Sequence, residues 1–293
     1  MKKLCIVTGA SSGMGVCFGR QLAQETAKLK SKAKKYYDKG KKIKADKIIS
    51  ETCDEIWLIA RRLDKLDLCK NSIDEEKNKS LLKDFYPQIK TFSVDLNGKD
   101  GALKVKELLE KENDIEISIL VNNAGFGTYG EFANTSTLRE MQMIDVNCTA
   151  LTGITGFALP YMKKGARIIN TASLASFLPL GNFAVYGATK AFVLSFSIAL
   201  AAELKHKEIS VTSLCPGPVS TEFANVASKG ARKEVRHGKS PEKTVEHCIK
   251  ASLKGKHYSM FAFKWRVKAR ASRFVGRYLG AWFTYKFCKR PSN

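Results

Sequence analysis

The sequence contains few of the residues that build metal sites, disulfide frameworks or membrane spans. It has only 4 His and 7 Pro, and its 8 Cys are scattered without a CxxC pair. This spacing argues against a zinc cage and favours reduced thiols. No apolar run reaches the roughly 18 residues that a spanning helix needs, and the run at 4–7 is too short for a signal peptide. We therefore expect a folded cytoplasmic protein without a metal.

Charge of one sign is concentrated in two places. The formal net charge is +22, yet residues 27–48 hold 10 Lys against two Asp, and residues 229–293 hold 18 Lys and Arg against three Glu. The remainder of the chain is nearly neutral. The pattern indicates a neutral body with two basic additions, each of which needs its own explanation.

Short apolar segments alternate with longer helical patterns along the chain. The segments predicted as strands are 4–7, 56–60, 89–94, 117–121, 167–170 and 210–214, with a seventh at 257–263. Helices are predicted at 13–25, 101–111, 138–162 and 186–204. Several strands are apolar at nearly every position, as strands covered on both faces are. This alternation predicts an α/β fold of Rossmann type, a doubly wound parallel sheet of about seven strands with helices on both faces.

The two basic additions are predicted to embellish a single domain. Residues 1–263 form that domain, and residues 264–293 form a basic, aromatic C-terminal extension. The Lys-rich insertion at 27–48 is expected to be helical, because it has little Gly or Pro. It either lengthens the helix after the first strand or forms a solvated helical hairpin.

A glycine-rich turn directly follows the first predicted strand. Residues 8–15 read TGASSGMG, which places Gly9, Gly13 and Gly15 in the pattern G-x-x-x-G-x-G. Glycine permits a positive φ and lets the backbone approach a diphosphate, whose charge is met by the amides of a helix N-terminus. The motif predicts that a dinucleotide binds here.

Two arginines follow the second predicted strand. In dinucleotide enzymes a carboxylate at this point binds the ribose hydroxyls of NAD, whereas a cation suits the extra phosphate of NADP. Arg61 and Arg62 occupy the position, while Asp54 and Glu55 lie at the opposite end of the strand. The sequence therefore favours NADP(H) over NAD(H).

A tyrosine and a lysine share one face of a later predicted helix. Tyr186 and Lys190 are spaced i, i+4. An ammonium beside a phenol lowers the pKa of the phenol toward neutrality, as a general acid or base requires. We therefore expect the pKa of Tyr186 to be depressed.

The pattern Y-x-x-x-K is not specific by itself. It also starts at Tyr37, Tyr86 and Tyr285, and a Ser thirteen residues earlier accompanies only Tyr186 and Tyr285. Tyr285 has eight residues after it and no strand to position it, whereas Tyr186 follows both the glycine-rich turn and a predicted strand. Tyr186, with Ser173, is the candidate.

These motifs resemble the classical short-chain dehydrogenase/reductase family over residues 1–225. The matching positions, in the family's order, are residues 8–15, Asp95, residues 122–125, Asn147, Ser173, Tyr186, Lys190, residues 216–217 and Thr221. The resemblance implies an oxidoreductase that interconverts a carbonyl and an alcohol by hydride transfer without a metal. Members usually form homodimers or homotetramers through two long helices, which correspond to 138–162 and 186–204.

The resemblance also assigns a role to each matching residue. Tyr186 would donate or accept the proton, Ser173 would hydrogen-bond the substrate oxygen, and Lys190 would bind the nicotinamide ribose. Asn147 would hold a water that relays protons to Lys190. The cofactor would be bound by Gly9, Ser11, Ser12, Gly13, Met14, Gly15, Arg61, Arg62, Asp95, Asn123, Ala124, Gly125, Lys190, Pro216, Gly217, Val219 and Thr221.

The C-terminal extension ends in a basic amphipathic pattern. Val275, Leu279, Phe283 and Phe287 recur every four residues among several cations. This face has three alternatives: it packs on the protein or a sister subunit, lies on an anionic bilayer, or covers an apolar substrate channel. Nucleic acid is not expected, because no recognised module contains these residues. The apolar character suggests a lipid-, steroid- or acyl-like substrate.

A rival interpretation from another class is a non-catalytic dinucleotide-binding or membrane-associated interaction protein. Such a protein has no need of Ser173, Tyr186 and Lys190 together. Their joint presence favours the enzyme.

Overall fold

The computed structural model describes residues 1–232 and 238–292. The strands are β1 Lys2–Thr8, β2 Glu55–Ala60, β3 Gln88–Ser93, β4 Ile115–Asn122, β5 Arg167–Thr171, β6 Ser210–Leu214 and β7 Tyr258–Ser259. Within the described residues they form one parallel sheet in the order β3-β2-β1-β4-β5-β6-β7. The predicted doubly wound Rossmann-type sheet is confirmed.

Helices cover both faces of this sheet. Their bounds are α1 Gly13–Tyr37, α2 Lys42–Ile49, α3 Leu63–Lys79, α4 Gly98–Glu110, α5 Thr137–Ile144, α6 Leu151–Ala158, α7 Ala184–Glu203, α8 Phe223–Ala227, α9 Pro241–Leu253, α10 Phe263–Ala271 and α11 Arg277–Phe287. Phe18 and Leu22 of α1 lie in the core on one face, and Ile154 of α6 and Leu200 of α7 lie in the core on the other. Strands β2 and β4 are buried at every position, because both of their faces are covered.

The sheet reverses its strand order at β1. This strand pairs with β2 on one side and with β4 on the other, so that Thr8 is level with Ile59 and Val7 with Val121. Loops from the two halves of an open α/β sheet diverge at such a point and leave a crevice outside the carboxyl ends of the strands. The glycine-rich turn and the loops after β2 and β4 open into this crevice.

The Lys-rich insertion continues the first helix and then turns back along it. The first helix, α1, runs for 25 residues to Tyr37, and α2 returns beside it as a hairpin. Ala33 and Ala45 are fully buried, and the Tyr37 hydroxyl bonds to the Asp46 carboxylate. Lys3 at the start of β1 donates to the carbonyl of Ile49 at 3.3 Å. The insertion therefore lies at the amino ends of the strands, away from the crevice.

Two predicted elements differ in detail from those observed. The segment predicted as one helix at 138–162 consists of four successive helical elements. They are α5, a π-helical turn at Asp145–Ala150, α6 and a 3₁₀ turn at Leu159–Tyr161. Pro160 within the last turn has no amide to continue an α-helix. The strand predicted at 257–263 is paired only over Tyr258–Ser259, because Phe263 already begins α10.

Candidate active site

A cleft of about 920 Å³ runs along the carboxyl ends of the strands. It brings together nearly all of the predicted site residues. Those on its walls are Gly9, Ser11, Ser12, Gly13, Met14, Arg61, Arg62, Asp95, Asn123, Ala124, Gly125, Ser173, Tyr186, Lys190, Pro216, Gly217, Val219 and Thr221. Gly15 and Asn147 lie beneath the surface of the cleft, not on its wall.

The glycine-rich turn has the form that a diphosphate requires. Gly9 has φ +67, and a Cβ there would lie 2.8 Å from the Cα of Ala124. A Cβ on Gly15 would lie 2.0 Å from the carbonyl oxygen of Gly9, so the turn could not close around any larger residue. Helix α1 begins at Gly13 with no acidic residue in its first turn. The start of this helix therefore carries no carboxylate of its own, and the residues present fit a dinucleotide.

Two arginines line the cleft beside this turn. The Arg61 Nε lies 3.8 Å from Asp95 Oδ1, and the side chain is 73% exposed. The Arg62 Nη2 lies 3.1 Å from Glu222 Oε2 and 3.4 Å from Ser11 Oγ. Both guanidinium groups are therefore within reach of a nucleotide seated on the turn.

The tyrosine, lysine and serine meet at the other end of the cleft. Helix α7 presents Tyr186 and Lys190 on one face, with the Lys190 Nζ 5.8 Å from the centre of the phenol ring. The same ammonium donates to the carbonyl of Thr171 at 2.7 Å. Ser173 caps a 3₁₀ turn at Leu174–Ser176, where its hydroxyl accepts from the amide of Ala175 at 3.1 Å, and it lines the cleft together with Tyr186.

The expected depression of the phenol pKa is wrong for this structure. Burial raises the pKa of Tyr186 well above its usual value, and the neighbouring Ser173 hydroxyl only partly offsets this rise. The Lys190 ammonium is buried as well, and burial lowers its pKa to about 8. Desolvation is the largest cause of both shifts, because it disfavours the charged form of each group.

Asn147 is buried beside this lysine. Its side chain accepts from the amide of Phe126 at 3.1 Å and donates to Thr189 Oγ1 at 3.0 Å. A Cβ added to Gly125 would lie 2.8 Å from Asn147 Oδ1 and 3.4 Å from Lys190 Nζ. Asn147 therefore supports the floor of the cleft from the π-helical turn Asp145–Ala150.

An aromatic wall that the sequence analysis did not predict surrounds the phenol. Phe183 stacks on Tyr186 with ring centroids 4.1 Å apart, and Tyr129 packs edge-on against Phe183 at 4.8 Å. Phe223 lies 5.3 Å from Tyr186. These rings come from the loops after β4, β5 and β6. Each ring follows a predicted strand in the sequence, and this position is the pattern from which the aromatic wall could have been predicted.

The C-terminal extension forms the outer wall of the same cleft. Its lining residues are Trp265, Lys268, Phe287, Cys288, Lys289 and Arg290. Helix α11 docks through small residues: Gly280 is buried against Leu178, and Thr284 Oγ1 accepts from the amide of Gly181 at 2.9 Å. Most of the predicted apolar stripe instead faces outward: Val275, Leu279 and Phe283 are exposed, whereas Phe287 lines the cleft. Helix α11 therefore packs through its narrow face of small residues, because only small residues allow it to approach the loop that contains Leu178 and Gly181.

Comparison with known proteins agrees with this geometry. The sequence model described as short chain dehydrogenase matches residues 45–232. The very-long-chain 3-oxoacyl-CoA reductase of Homo sapiens is 31% identical over 252 residues, which cover 84% of this chain and 67% of the relative.

Solved structures show the same fold. A short-chain dehydrogenase from Sphingobium yanoikuyae in complex with NADPH superposes with a TM-score of 0.70 at 22% identity, covering 94% of both chains. A short chain dehydrogenase/reductase from Burkholderia phymatum in complex with NAD gives 0.68 at 18% identity, covering 100% of this chain and 97% of the other. Taken with the family match and the human relative, the chain belongs to the short-chain dehydrogenase/reductase family and is an oxidoreductase of CH–OH and C=O groups.

Proposed function

We propose that this protein is an NADP(H)-dependent reductase of apolar ketones or aldehydes that also oxidises the corresponding alcohols. The observation that carries the proposal is the meeting of Ser173, Tyr186 and Lys190 at one end of a cleft whose other end holds the glycine-rich turn. The name of the human relative, an acyl-CoA reductase, supports a carbonyl substrate.

The coenzyme preference depends on Arg61 and Arg62. Related folds have been solved with NADPH and with NAD, so the fold is compatible with either coenzyme. In this chain the two guanidinium groups line the cleft beside the turn, where they suit a 2′-phosphate better than two hydroxyls.

The roles of the side chains follow from their positions. When bound, the coenzyme supplies hydride to the carbonyl carbon or accepts it from the alcohol. The Tyr186 hydroxyl donates its proton to the substrate oxygen, and the Ser173 hydroxyl donates a hydrogen bond to the same atom. Because burial keeps the pKa of Tyr186 high, the phenol is protonated at neutral pH and suits the reductive direction. Lys190 holds the ribose, and Asn147 positions the floor beneath it.

The experiment that tests the proposal is NADPH consumption with a panel of ketones and aldehydes, with the alcohol product identified by chromatography. The proposal predicts equal amounts of NADPH consumed and alcohol formed for at least one apolar compound. NADPH binding without turnover of any compound in either direction would support the rival, a non-catalytic dinucleotide-binding protein.

Two further expectations concern assembly. We propose that a second copy of the chain covers the apolar groove beside α7, where Ile144 and Phe192 are about half exposed. Such a homodimer or homotetramer should dissociate in Phe192→Glu, as measured by analytical ultracentrifugation. An unchanged sedimentation coefficient would exclude this interface.

We also propose that the outward face of α11 lies on an anionic bilayer of the cytoplasmic side. Residues 263–292 contain nine Lys and Arg and no Asp or Glu, and the exposed aromatic rings of Tyr278, Trp282 and Phe283 accompany them. Co-sedimentation with phosphatidylglycerol vesicles should be lost in Trp282→Ser with Phe283→Ser. Equal partitioning of variant and wild type would contradict the contact.

A further inference from the structure

Several cations line the cleft on the side of the C-terminal extension, and the described part of the chain gives them no carboxylate partner. Arg232, Lys289 and Arg290 line its outer end, and Lys268 lines it beside Trp265. None of the ion pairs within residues 1–232 and 238–292 involves any of these four side chains.

The inner, coenzyme end of the cleft is different. Two carboxylates line the cleft, Asp95 and Glu222, and each is paired with an arginine of that end. The outer end therefore has an excess of positive charge within a wall that is otherwise aromatic.

Arg290 is the most constrained of the outer cations. It is partly buried, its Nη1 donates to the carbonyl of Gly181 at 2.9 Å, and its guanidinium carbon lies 5.3 Å from the centre of the Phe183 ring. Phe183 in turn stacks directly on the catalytic phenol of Tyr186. One aromatic ring thus separates this guanidinium from the reacting centre.

The neighbouring groups reinforce the positive charge. The ring of Tyr129 packs against Phe183. Burial raises the pKa of the Tyr129 hydroxyl, and the positive charges of Arg290 and Arg232 oppose that rise. Arg232 also donates to the carbonyl of Lys289 at 3.3 Å, which holds it beside the end of the C-terminal extension. Two guanidinium groups close together beside an aromatic wall cost free energy by repulsion and desolvation unless an anion joins them.

We propose that this outer end is an oxyanion-binding subsite, in which Arg290, assisted by Arg232, binds a carboxylate or phosphate at the far end of the substrate. The inference rests on the proposed reductase function and narrows its substrate class. In this arrangement the carbonyl of the substrate lies at Tyr186 and its apolar chain lies along Phe183 and Tyr129. The anionic group at the far end of the chain lies at the guanidinium group of Arg290. Arginine suits this task because its planar donors match both oxyanions.

Matched pairs of probes test the subsite. Wild type, Arg290→Gln and the charge-retaining Arg290→Lys are assayed at saturating NADPH with 4-, 6- and 8-oxododecanoate and with the methyl ester of each. Arg273→Gln is the control, since Arg273 belongs to the same extension, is exposed and does not line the cleft. We expect kcat/KM of wild type to favour the best carboxylate over its ester.

Arg290→Gln should lower kcat/KM for that carboxylate by roughly 10- to 100-fold, through KM, and leave the ester within about threefold, since only the charged hydrogen bonds are lost. Arg290→Lys should recover part of the loss, and Arg273→Gln should behave as wild type. Equal losses on acid and ester, or a wild type that prefers the ester, would overturn the subsite.

A binding measurement separates this result from a failure of the reductase proposal. Decanoate and decyl phosphate are titrated by calorimetry into the protein saturated with NADP⁺, and methyl decanoate serves as the neutral comparison. Weaker binding of either anion to Arg290→Gln than to wild type supports the subsite even if no ketone is reduced, and the stronger of the two identifies the oxyanion. If each anion binds to the variant as tightly as to wild type, the subsite is excluded.

Discussion

The two basic segments of this chain have similar compositions and opposite relations to the active site. Residues 27–48 form a helical hairpin at the amino ends of the strands, and residues 264–292 form a wall of the cleft at the carboxyl ends. In the hairpin, Lys39, Lys42 and Lys44 are exposed. In the extension, Lys268, Lys289 and Arg290 line the cleft. The number of charges does not distinguish the two basic segments. They are distinguished by the end of the sheet to which each is attached.

The largest effect should come from the buried Lys190 of α7. Replacing Lys190 with Met removes the donor to the Thr171 carbonyl and the ammonium beside Tyr186. We expect kcat/KM for a ketone to fall by about 10²- to 10⁴-fold, the usual contribution of acid–base machinery. Steady-state kinetics check this. A variant with nearly full activity would place the lysine outside the mechanism.

The next effect concerns the two arginines beside the glycine-rich turn. Arg61→Ala should weaken NADPH binding by roughly 10- to 100-fold, because a charge-assisted hydrogen bond to the phosphate is lost, and leave NADH binding nearly unchanged. Fluorescence titration with both coenzymes measures the difference. Similar losses for NADPH and NADH would refute the phosphate contact.

The docking of α11 gives an effect of intermediate size. A Cβ on Gly181 would lie 2.4 Å from the Cβ of Tyr285, so that Gly181→Ala displaces the extension, whereas a Cβ on Gly156 meets nothing within 4 Å. We expect Gly181→Ala to raise the substrate KM by about tenfold without affecting NADPH binding, as small displacements of positioning groups do. Gly156→Ala is the matched control. Unchanged KM in both variants would mean that the extension does not shape the pocket.

The buried lysine also predicts a dependence of stability on pH. Burial lowers the pKa of Lys190 to about 8 in the folded protein, so between pH 8 and about 10.5 the unfolded chain binds more protons at this site. This group therefore makes the free energy of unfolding rise with pH, at up to about 1.4 kcal/mol per pH unit. Urea unfolding of wild type and Lys190→Met should show a more positive slope for wild type. Parallel slopes would mean that the lysine is not buried.

The smallest effect should come from the hairpin. Changing Lys39, Lys42 and Lys44 together to Gln should alter kcat/KM by less than about twofold and stability by about 0.5 kcal/mol or less, as exposed substitutions usually do. Kinetics and thermal unfolding check both values. A substantial loss of activity would contradict the claim that the hairpin, unlike the C-terminal extension, has no part in the active site.

Local sequence patterns predicted the inner part of the cleft. The glycine-rich turn, Arg61, Ser173 and Tyr186 lie directly after strands or on the helix that follows them, so chain order determines their place. The strands themselves were predictable because covered strands are apolar at nearly every position.

The outer part of the cleft could not be predicted in the same way. Arg290 reaches Gly181 across a separation of 109 residues, and the helix that precedes it docks through Gly280, not through its aromatic stripe. Amphipathic periodicity identifies the wider apolar face but not which face finds a partner. The pKa of Tyr186 was mispredicted for a related reason, since the spacing to Lys190 says nothing about burial.

The most direct test of the account compares two tyrosines that share the pattern Y-x-x-x-K. Tyr186→Phe should lower kcat/KM by about 10²- to 10⁴-fold, with NADPH binding preserved, because the proton donor is removed. Tyr37→Phe, in the hairpin, should leave kcat/KM as in wild type. Equal turnover by Tyr186→Phe and wild type would contradict the assignment of the phenol as the proton donor, and with it the proposed reaction.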